Sequence, residues 1–500
     1  MTAAAPLISR FFAATDRILG QPGIWALAIC ALAAVQTALI VSHQPWPDEL
    51  QALLIATQAD GAWQLLDWLR YEGHPPAWYA LLSGIGALVP QPYVLPVAAL
   101  LCAVVVQGVI VLASPFGRSE RLLLASSQYV LFEFLTISRG TTLGAALLML
   151  AMVFWQRRWL WIAIALLPTV DFLFGVISGV LVILKWRERD LWYPGVALWL
   201  ALSCFAAWSV YPPSDMVSAN EALGMPGGPA LWWWMMGSLP LPFHGGIAPQ
   251  WNTPVAPIAP VAGAVMLWLC WRFTRGFAWH RLLIFGFFAF TLVFSLAVYP
   301  IGVRHLLLGP FLLILLIWLQ RAAGAARDPV FGAWLLVLAL SGLATSAISA
   351  TKGFDSGPAV ITEIERRGLA DKHWIALPEW RAPAVSGRSD IVFGRPEQSC
   401  GFTFVRWDHK SAVLRSSTAL ESLLLDHIAR HGRSYLFSDR KLAGMDPAIL
   451  SPIATIPAGY SGISYTLYVV GAQHSEKPVI LPACHDLGPG MAIGSPLGKN

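Results

Sequence analysis

Apolar runs recur through the first 350 residues, and they constrain the fold more than any other feature of the sequence. The runs lie near 24–42, 93–113, 121–137, 141–156, 159–170, 172–184, 191–210, 256–272, 282–299, 303–320 and 331–350. A helix needs about twenty apolar residues to cross the hydrocarbon core of a bilayer. Only 12% of all residues are charged, against roughly 25% in soluble domains. The sequence therefore predicts an α-helical polytopic membrane protein.

Lysines and arginines form short clusters between the apolar runs, and these clusters predict the orientation in the membrane. They lie at 118–121, 157–158, 185–189, 272–281 and 321–327. Such clusters remain preferentially on the cytoplasmic side. All of them share that side if the apolar piece 77–89 does not cross. We therefore expect eleven crossings in the plasma (inner) membrane of a bacterium, with the N-terminus cytoplasmic and the C-terminus periplasmic or extracellular.

Two neighbouring acids, Asp48 and Glu49, directly follow the first predicted span. A charge at that depth is costly unless it has a partner or a purpose. About twenty-five residues later comes Glu72-Gly73-His74-Pro75-Pro76, in which the prolines disfavour a helix at His74. The chain between these motifs predicts an amphipathic helix that lies on the membrane surface. In a simpler interpretation, the acids end the first helix and His74 is an ordinary loop residue.

Together these residues resemble the first external loop of the GT-C glycosyltransferases. In that superfamily an Asp-Glu pair after the first helix is followed by a His/Lys-Pro-Pro-x-x-Tyr element, matched here by residues 74–79. It includes protein O-mannosyltransferases and the aminoarabinose transferases that modify lipid A. The resemblance covers about the first 350 residues. It implies a multi-spanning enzyme that moves a sugar from a polyprenyl-phosphate carrier to an acceptor on the outer face of the membrane.

Two further segments resemble family elements: one in which an arginine stands near the active site, and one with an Arg-His dipeptide at the outer start of a late helix. Residues 132–139 end in Ser138-Arg139, and residues 299–305 end in Arg304-His305. After Arg139 this chain has Thr141-Thr142 where the family element has a tyrosine. Either arginine is also explained as an interfacial cation whose charge reaches water. A structural ion pair of Arg139 with Glu133 or Asp171 is a further alternative.

The resemblance implies the following roles for the candidate site residues. Asp48 is the general base that takes the proton of the acceptor hydroxyl, and Glu49 orients the acceptor or assists Asp48. A single displacement by the acceptor inverts the anomeric centre. The donor phosphate and sugar are bound by His74, Arg139, Arg304 and His305, and Glu72, Asp171 and His244 are additional candidates. Some relatives bind a divalent metal, for which Asp48, Glu49 and His74 are the ligand candidates, but no cofactor is required.

The composition changes after about Thr351, where charges, glycines and prolines become frequent. Alternating runs at 390–393 and 464–470 predict strands, and 411–431 predicts a helix. We therefore divide the chain into a transmembrane catalytic domain, 1–350, and a mixed α/β extracytoplasmic domain, 351–500. The latter has no phosphate-binding loop, nucleophile elbow or zinc motif. Its Cys400 and Cys484 form a disulfide if this domain faces an oxidising compartment.

The predicted catalytic domain has two long external loops, 43–92 and 211–255. The first contains juxtamembrane helices, among them the piece 77–89. The second is rich in proline, glycine and tryptophan, and we expect it to rest on the bilayer and cover a lipid groove. An aromatic belt explains the run Trp232-Trp233-Trp234 equally well.

The sequence thus predicts a cell-envelope membrane glycosyltransferase with a lipid-phosphate-sugar donor. Its partners are a polyprenyl-phosphate-linked sugar, membrane lipids and a glycan, lipid or protein acceptor, and the scattered basic residues speak against nucleic acid. The alternative is a multi-pass transporter or lipid flippase in which Asp171, Glu133 and Arg139 form an ion pathway. The sequence shows no internal repeat of the kind many transporters have. A third interpretation is a non-catalytic scaffold on a decayed transferase fold.

Overall fold

The computed structural model describes residues 4–216, 228–241, 258–298, 301–396, 400–407, 417–478 and 481–484. The chain forms two compact units. One, here called the helical unit, comprises Met1–His43, His74–Val210 and Pro226–Thr351. The other, here called the α/β unit, comprises Gln44–Gly73, Tyr211–Met225 and Lys352–Asn500. The loop that carries the acid pair therefore folds with the C-terminal residues.

The helical unit is built almost entirely from helices in its described residues. They are α1 (Ala4–Leu19), α2 (Pro22–Ser42), α5 (Ala77–Gly86), α6 (Gln91–Ala113), α7 (Arg118–Ala125), α8 (Gly140–Val153), α9 (Leu160–Leu166), α10 (Phe172–Arg187), α11 (Tyr193–Ser209), α12 (Pro229–Met236), α13 (Ala259–Phe273), α14 (Ala278–Ala297), α15 (Val303–Leu306), α16 (Leu308–Ala322) and α17 (Pro329–Lys352). Helices are numbered in chain order, and α3 (Pro47–Gln58) and α4 (Ala62–Glu72) belong to the α/β unit.

Five helical stretches of the described residues are long and apolar enough to cross a membrane. They are Pro22–Ser42, Gln91–Ala113, Ala278–Ala297, Val303–Ala322 and a window within Pro329–Arg366. Four more apolar helices have only 10–17 residues: Gly140–Val153, Leu160–Thr169, Tyr193–Ser209 and Ala259–Phe273. The helices are those of a polytopic membrane protein, as predicted. Within the described residues, five stretches and not the expected eleven are long and apolar enough for a full crossing.

The predicted span 121–137 is not one apolar helix, and the reason is visible in its polar residues. Helix α7 ends at Ala125, and a separate π-helix follows at Gln128–Phe134. Ser127 begins this π-helix by accepting a hydrogen bond from the Val130 amide at 3.3 Å. The Gln36 side chain donates to the Leu131 carbonyl at 3.2 Å, which satisfies a backbone group of this buried segment. Hydropathy alone does not register such a break.

Two basic clusters that were predicted to share the cytoplasmic side meet at one end of the helical unit. The buried Glu120, at the start of α7, accepts from Arg327 at 3.1 Å and from Arg321 at 3.4 Å. Arg327 also pairs with Asp16 of α1. The Asp16 carboxylate accepts from the Ser119 amide at 2.7 Å. Four charges from distant parts of the sequence thus compensate one another at this end.

The α/β unit contains a six-stranded mixed sheet. Its strands are β1 (Trp374–Ala376), β2 (Phe393–Gly394), β3 (Gly401–Phe402), β4 (Ser434–Ser438), β5 (Leu450–Ile456) and β6 (Tyr465–Val470), in the spatial order β3-β2-β1-β4-β6-β5. Strand β1 is parallel to β2 and β4, and the outer pairs are antiparallel. The helices after the transmembrane part are α18 (Gly357–Arg366), α19 (Pro383–Ser386) and α20 (Ser417–His431).

Alternation along β1 builds a core on each face of the sheet. Trp374 packs with Val360 and Ile364 of α18 on one face. Ile375, the next residue, packs with Leu424 of α20 on the other. Successive side chains of a strand point to opposite faces, so one helix covers each side. The predicted strand in 464–470 is confirmed, and the predicted helix 411–431 begins at Ser417 in the described residues. The run 390–393 forms a strand only from Phe393.

Cys400 and Cys484 form a disulfide, with their Cα atoms 5.0 Å apart. Both side chains are buried in the core that contains Trp374. Next to the bridge, the Gly401 amide donates to the Pro482 carbonyl at 2.8 Å. The disulfide therefore fastens the segment around Pro482 to the strand β3 at the edge of the sheet.

Three histidines of the α/β unit, His373, His427 and His431, lie side by side. The ring centroid of His373 is 5.2 Å from that of His427 and 5.3 Å from that of His431. The rings of His427 and His431 are 4.8 Å apart. Burial lowers the pKa of His373 to about 4 and that of His427 to about 2, and the charges of neighbouring histidines act in the same direction. These two rings are therefore neutral at neutral pH.

We expect acid to destabilise the α/β unit because of this cluster. Both histidines have folded-state pKa values below the unfolded value near 6.5, so between about pH 6.5 and 4 the unfolded chain binds more protons. As the pH falls through this range, each such histidine lowers the free energy of unfolding by about 1.4 kcal/mol per pH unit. Urea unfolding between about pH 7.5 and 5 measures this slope. It should be smaller in His427→Leu and unchanged in His474→Asn, which alters an exposed histidine. Equal slopes in all three proteins would contradict the explanation.

Candidate functional site

The predicted acid pair forms the first turn of α3. Trp46 precedes this helix, and its amide donates to Glu49 Oε2 at 3.0 Å. Glu49 is fully buried and closes the helix N-terminus, whereas Asp48 is half-buried. Acidic groups at this end are stabilised by the helix dipole. The two acids therefore have different environments. Glu49 accepts a backbone hydrogen bond at the helix N-terminus, and Asp48 is the carboxylate that is partly accessible from outside.

The sequence predicted that the segment containing α3 and α4 lies on the membrane surface. In the structure these helices pack instead on the C-terminal residues of their unit. The Gln51 amide pairs with the Val405 backbone, donating to its carbonyl at 2.7 Å and accepting from its N–H at 3.0 Å. The rings of Trp68 and Phe404 lie 5.1 Å apart. Leu53 and Leu54, two of the apolar residues assigned to the bilayer, are buried. Trp63, which is 80% exposed, is the exception on that side.

Removal of the Gln51 amide should loosen the acid-pair loop. Gln51→Ala leaves the buried amide and carbonyl of Val405 without this partner, which costs about 1–3 kcal/mol. Gln58→Ala is the matched control, because the side chain of the exposed Gln58 accepts from the Thr403 hydroxyl in a solvent-exposed position. Denaturant unfolding of both variants gives the comparison. Equal stability of Gln51→Ala and Gln58→Ala would show that the paired amide does not hold the loop.

Glu72, the third acid of the loop, belongs to the same polar group. Its Oε2 accepts from Gln51 Nε2 at 3.1 Å, and the side chain is half-buried. The neighbouring Tyr71 lies under the guanidinium of Arg406, 4.6 Å from ring centroid to Cζ. The Tyr71 hydroxyl donates to Asp215 at 3.1 Å. The structure thus brings the acids predicted at 48, 49 and 72 into one unit.

Two arginines from the C-terminal part lie within electrostatic reach of the acid pair. Arg388 donates to the carbonyls of Pro45 and of Ala384, the latter at 2.8 Å. Burial lowers the pKa of Arg388, while Asp355, Tyr465 and Glu49 act against this effect. Burial also opposes the charge of Arg381, but the charges of Asp439, Tyr465 and Asp48 raise its pKa overall. The charge of Asp48 thus acts on Arg381, and the charge of Glu49 acts on Arg388.

These arginines were missed by the sequence analysis, which took all candidate cations from the transmembrane part. Arg381 is fixed by Asp439, whose Oδ2 lies 2.7 Å from the arginine Nε. Arg395 is almost fully buried and pairs with the buried Glu379 at 3.3 Å. The only signal in the sequence was the density of arginines between 381 and 406 in a segment without a motif.

In the helical unit, the structure brings the surroundings of three predicted residues together. His74 precedes α5, Arg139 precedes α8, and Asp171 precedes α10. A Cβ atom built on Gly140 would lie 3.4 Å from the Val170 carbonyl oxygen and 3.8 Å from the Trp78 Cβ. The N-terminal ends of α5, α8 and α10 therefore converge.

The two acids that lie within apolar runs, Glu133 and Asp171, have structural partners. Asp171 is the N-cap of α10, and its Oδ1 accepts from the Leu173 amide at 2.9 Å. Glu133 lies in the π-helix and accepts from the Gln128 side chain at 3.2 Å. A helix cap alone accounts for the presence of Asp171. The Thr142 hydroxyl accepts from the Arg139 amide at 3.2 Å, so the Thr141-Thr142 pair that replaces the family tyrosine helps to begin α8.

The remaining predicted residues lie near the start of α16 or outside the described residues. Arg304 and His305 belong to the one-turn helix α15, and both are half-buried. The Gly302 amide donates to His305 Nδ1 at 3.2 Å, so a neutral His305 ring carries its proton on Nε2. His244 lies outside the described residues. In the loop 211–255, Trp232 is buried in the helical unit and donates to the Thr291 hydroxyl at 3.2 Å, which does not fit an aromatic belt.

Among the described residues, no group of three histidine, cysteine, aspartate or glutamate side chains is arranged to hold a metal ion. Of the ligand set considered from the sequence, Asp48 and Glu49 belong to the α/β unit and His74 to the helical unit. Comparison with known proteins gives no family: no family model, no curated protein and no solved structure matches the chain.

Proposed function

We propose that this protein is a membrane glycosyltransferase that moves a sugar from a polyprenyl-phosphate carrier to an acceptor on the extracytoplasmic face. The observation that carries the proposal is the difference in contacts and burial between Glu49 and Asp48. Glu49 is used in the helix cap, and Asp48 is a half-buried carboxylate at a helix N-terminus within electrostatic reach of Arg381. A carboxylate with partial access from outside is what a general base for an acceptor hydroxyl requires, and Asp48 belongs to the motif that resembles the GT-C loop.

In the proposed reaction Asp48 is the general base. The acceptor hydroxyl gives its proton to the Asp48 carboxylate as its oxygen forms a bond to the anomeric carbon of the donor. The bond from that carbon to the phosphate oxygen breaks, and the polyprenyl phosphate leaves with the electron pair. Because one displacement takes place, the anomeric configuration is inverted. A positioned base contributes about 10²–10⁴-fold to the rate of such a step.

The leaving phosphate requires cationic or hydrogen-bonding groups that are already in position. For this role we retain His74, Arg139, Arg304 and His305 from the sequence analysis. The convergence of the α5 and α8 N-termini supports a common role for His74 and Arg139. His305 Nε2, which carries the proton in the neutral ring, is a suitable hydrogen-bond donor to phosphate.

The proposed orientation has the N-terminus in the cytoplasm and the α/β unit outside, which requires an odd number of crossings. The meeting of Arg321 and Arg327 with Glu120, next to Arg118 and Arg121 in the sequence, supports one common side for both basic clusters. The disulfide Cys400–Cys484 supports an oxidising compartment for the α/β unit. The plasma membrane of a bacterium meets both conditions.

The test is a transfer assay with the full-length protein in lipid vesicles. The donors are polyprenyl-phosphate sugars labelled in the sugar, offered with mixtures of lipid, glycan and peptide acceptors. We expect label to leave the carrier, free polyprenyl phosphate to accumulate, and the product to have the inverted anomeric configuration. If the protein moves the intact labelled carrier across the bilayer without breaking the sugar–phosphate bond, it is a flippase and the proposal is wrong.

A further inference from the structure

We propose that Arg388 is a positioning residue that holds Asp48 in place, which makes the C-terminal residues a functional part of the transferase site. The inference rests on the proposed function of Asp48. It assigns a role to the domain after Thr351, in which we found no sequence motif.

The central observation is one peptide group, the bond between Pro45 and Trp46. Its carbonyl accepts from the Arg388 guanidinium, and its N–H donates to Glu49 Oε2 at 3.0 Å. Both polar atoms of this peptide are therefore bound, one by the C-terminal part and one by the acid pair itself. Asp48 follows two residues later, so the orientation of this peptide sets the direction in which α3 starts.

Arg388 is itself held by groups of the sheet core. Its Nη1 lies 3.9 Å from Asp355 Oδ1 and donates to the Ala384 carbonyl at 2.8 Å. Asp355 is buried and accepts from the Tyr465 hydroxyl at 3.0 Å and from the Gly357 amide at 2.8 Å. A continuous set of polar contacts thus leads from strand β6 to the turn before Asp48.

Packing fixes the same junction. A Cβ atom built on Gly387 would lie 2.9 Å from the Cβ and Cδ2 atoms of Leu50, so the backbone directly after α19 approaches α3 as closely as a glycine allows. Leu50 itself is buried. The helix that carries Asp48 rests on the segment that carries Arg388.

The consequence for catalysis follows from the geometry that a general base needs. Its carboxylate must lie within hydrogen-bond distance of the acceptor hydroxyl, and a displacement of 1 Å costs roughly a hundredfold in rate. Without Arg388, the Pro45 carbonyl loses a charged donor and the turn before α3 gains freedom. Substrate binding does not depend on this turn in the same way, because Arg388 is not assigned to the substrate.

The experiment compares Arg388→Ala, Arg388→Lys and Arg366→Ala in the full-length protein in vesicles. Arg366 is the matched control, because it is an exposed arginine of the same unit and pairs with Glu363 on the same helix. Transfer kinetics are measured for each protein, together with hydrogen exchange of residues 44–58 and of strands β1 and β4. We expect kcat of Arg388→Ala to fall about a hundredfold with little change in KM. Exchange should accelerate at residues 46–50 and stay unchanged in the two strands.

Arg388→Lys keeps the charge and one donor, so it should restore part of kcat, and it provides the test if Arg388→Ala does not fold. Arg366→Ala should behave like the unaltered protein. Unchanged kcat in Arg388→Ala overturns the inference, as does a loss of kcat without faster exchange at 46–50. If the unaltered protein transfers no sugar, the proposed function fails; if it transfers sugar, Asp48→Asn is inactive and Arg388→Ala is fully active, only the present inference fails.

Discussion

Replacement of Asp48 by asparagine is expected to lower the rate of sugar transfer about a thousandfold. The amide has nearly the shape of the carboxylate but takes no proton from the acceptor hydroxyl. Asp48 is half-buried and outside the cap interaction that Glu49 makes, so the variant should fold. The measurement is kcat for transfer from a labelled polyprenyl-phosphate sugar, with binding of the donor followed separately. Donor binding should persist.

Two further variants, each lacking another carboxylate of the same loop, test whether the loss of transfer is specific to Asp48. Asp60→Asn removes an exposed carboxylate in the short connection between α3 and α4 and should leave transfer unchanged. Glu49→Gln keeps an oxygen that accepts from the Trp46 amide, and we expect a smaller loss than for Asp48→Asn. Full transfer by both Asp48→Asn and Glu49→Gln would refute the mechanism.

Loss of the Cys400–Cys484 disulfide is expected to have the largest effect on stability. The bridge closes a loop with a sequence separation of 84 residues. Constraint of an unfolded loop of that length contributes about 4 kcal/mol in the chain-entropy description. For a unit of this size, such a loss lowers the melting temperature by roughly 10 °C. Thermal unfolding of the double variant Cys400→Ala/Cys484→Ala measures it.

Cys30→Ala provides the control, because Cys30 is a free, exposed cysteine of the helical unit. It should melt like the unaltered protein. A reducing agent should act on the unaltered protein as the double substitution does and should have no further effect on the double variant. A melting temperature of the double variant equal to that of Cys30→Ala would show that the loop constraint is unimportant.

The sequence predicted most helices of the helical unit because hydropathy and length decide them. The run 93–113, for example, became Gln91–Ala113, and 24–42 became Pro22–Ser42. Hydropathy failed at 121–137, where Ser127 and the polar Gln128 and Glu133 lie within an otherwise apolar run. Buried hydrogen bonds stabilise a break there, and a sliding average does not detect them.

The sequence also predicted the helix start at the acid pair, but it did not predict which residues contact this segment. An Asp-Glu pair after Pro47 indicates a helix start, and the structure has α3 begin there. Contacts between Gln51 and Val405 join residues 354 positions apart, for which one sequence offers no signal. From the apolar side of α3 and α4, the sequence predicts only that this side is buried. Whether a bilayer or another part of the chain covers it depends on tertiary structure.

The same limit applies to Arg381 and Arg388. Arginines in a polar segment without a motif are usually solvated, and only the fold shows that Asp355 and Asp439 hold these two. Asp171 illustrates the reverse case. An acid within an apolar run suggested function, and the fold shows that its carboxylate also caps α10.

The most direct test of the central claim is a structure of the protein with a non-transferable polyprenyl-phosphate sugar and an acceptor bound. The account predicts an Asp48 carboxylate oxygen about 3 Å from the acceptor hydroxyl, which itself faces the anomeric carbon opposite the phosphate. If the acceptor hydroxyl is held by another base and Asp48 lies beyond hydrogen-bond distance of both substrates, the account is contradicted.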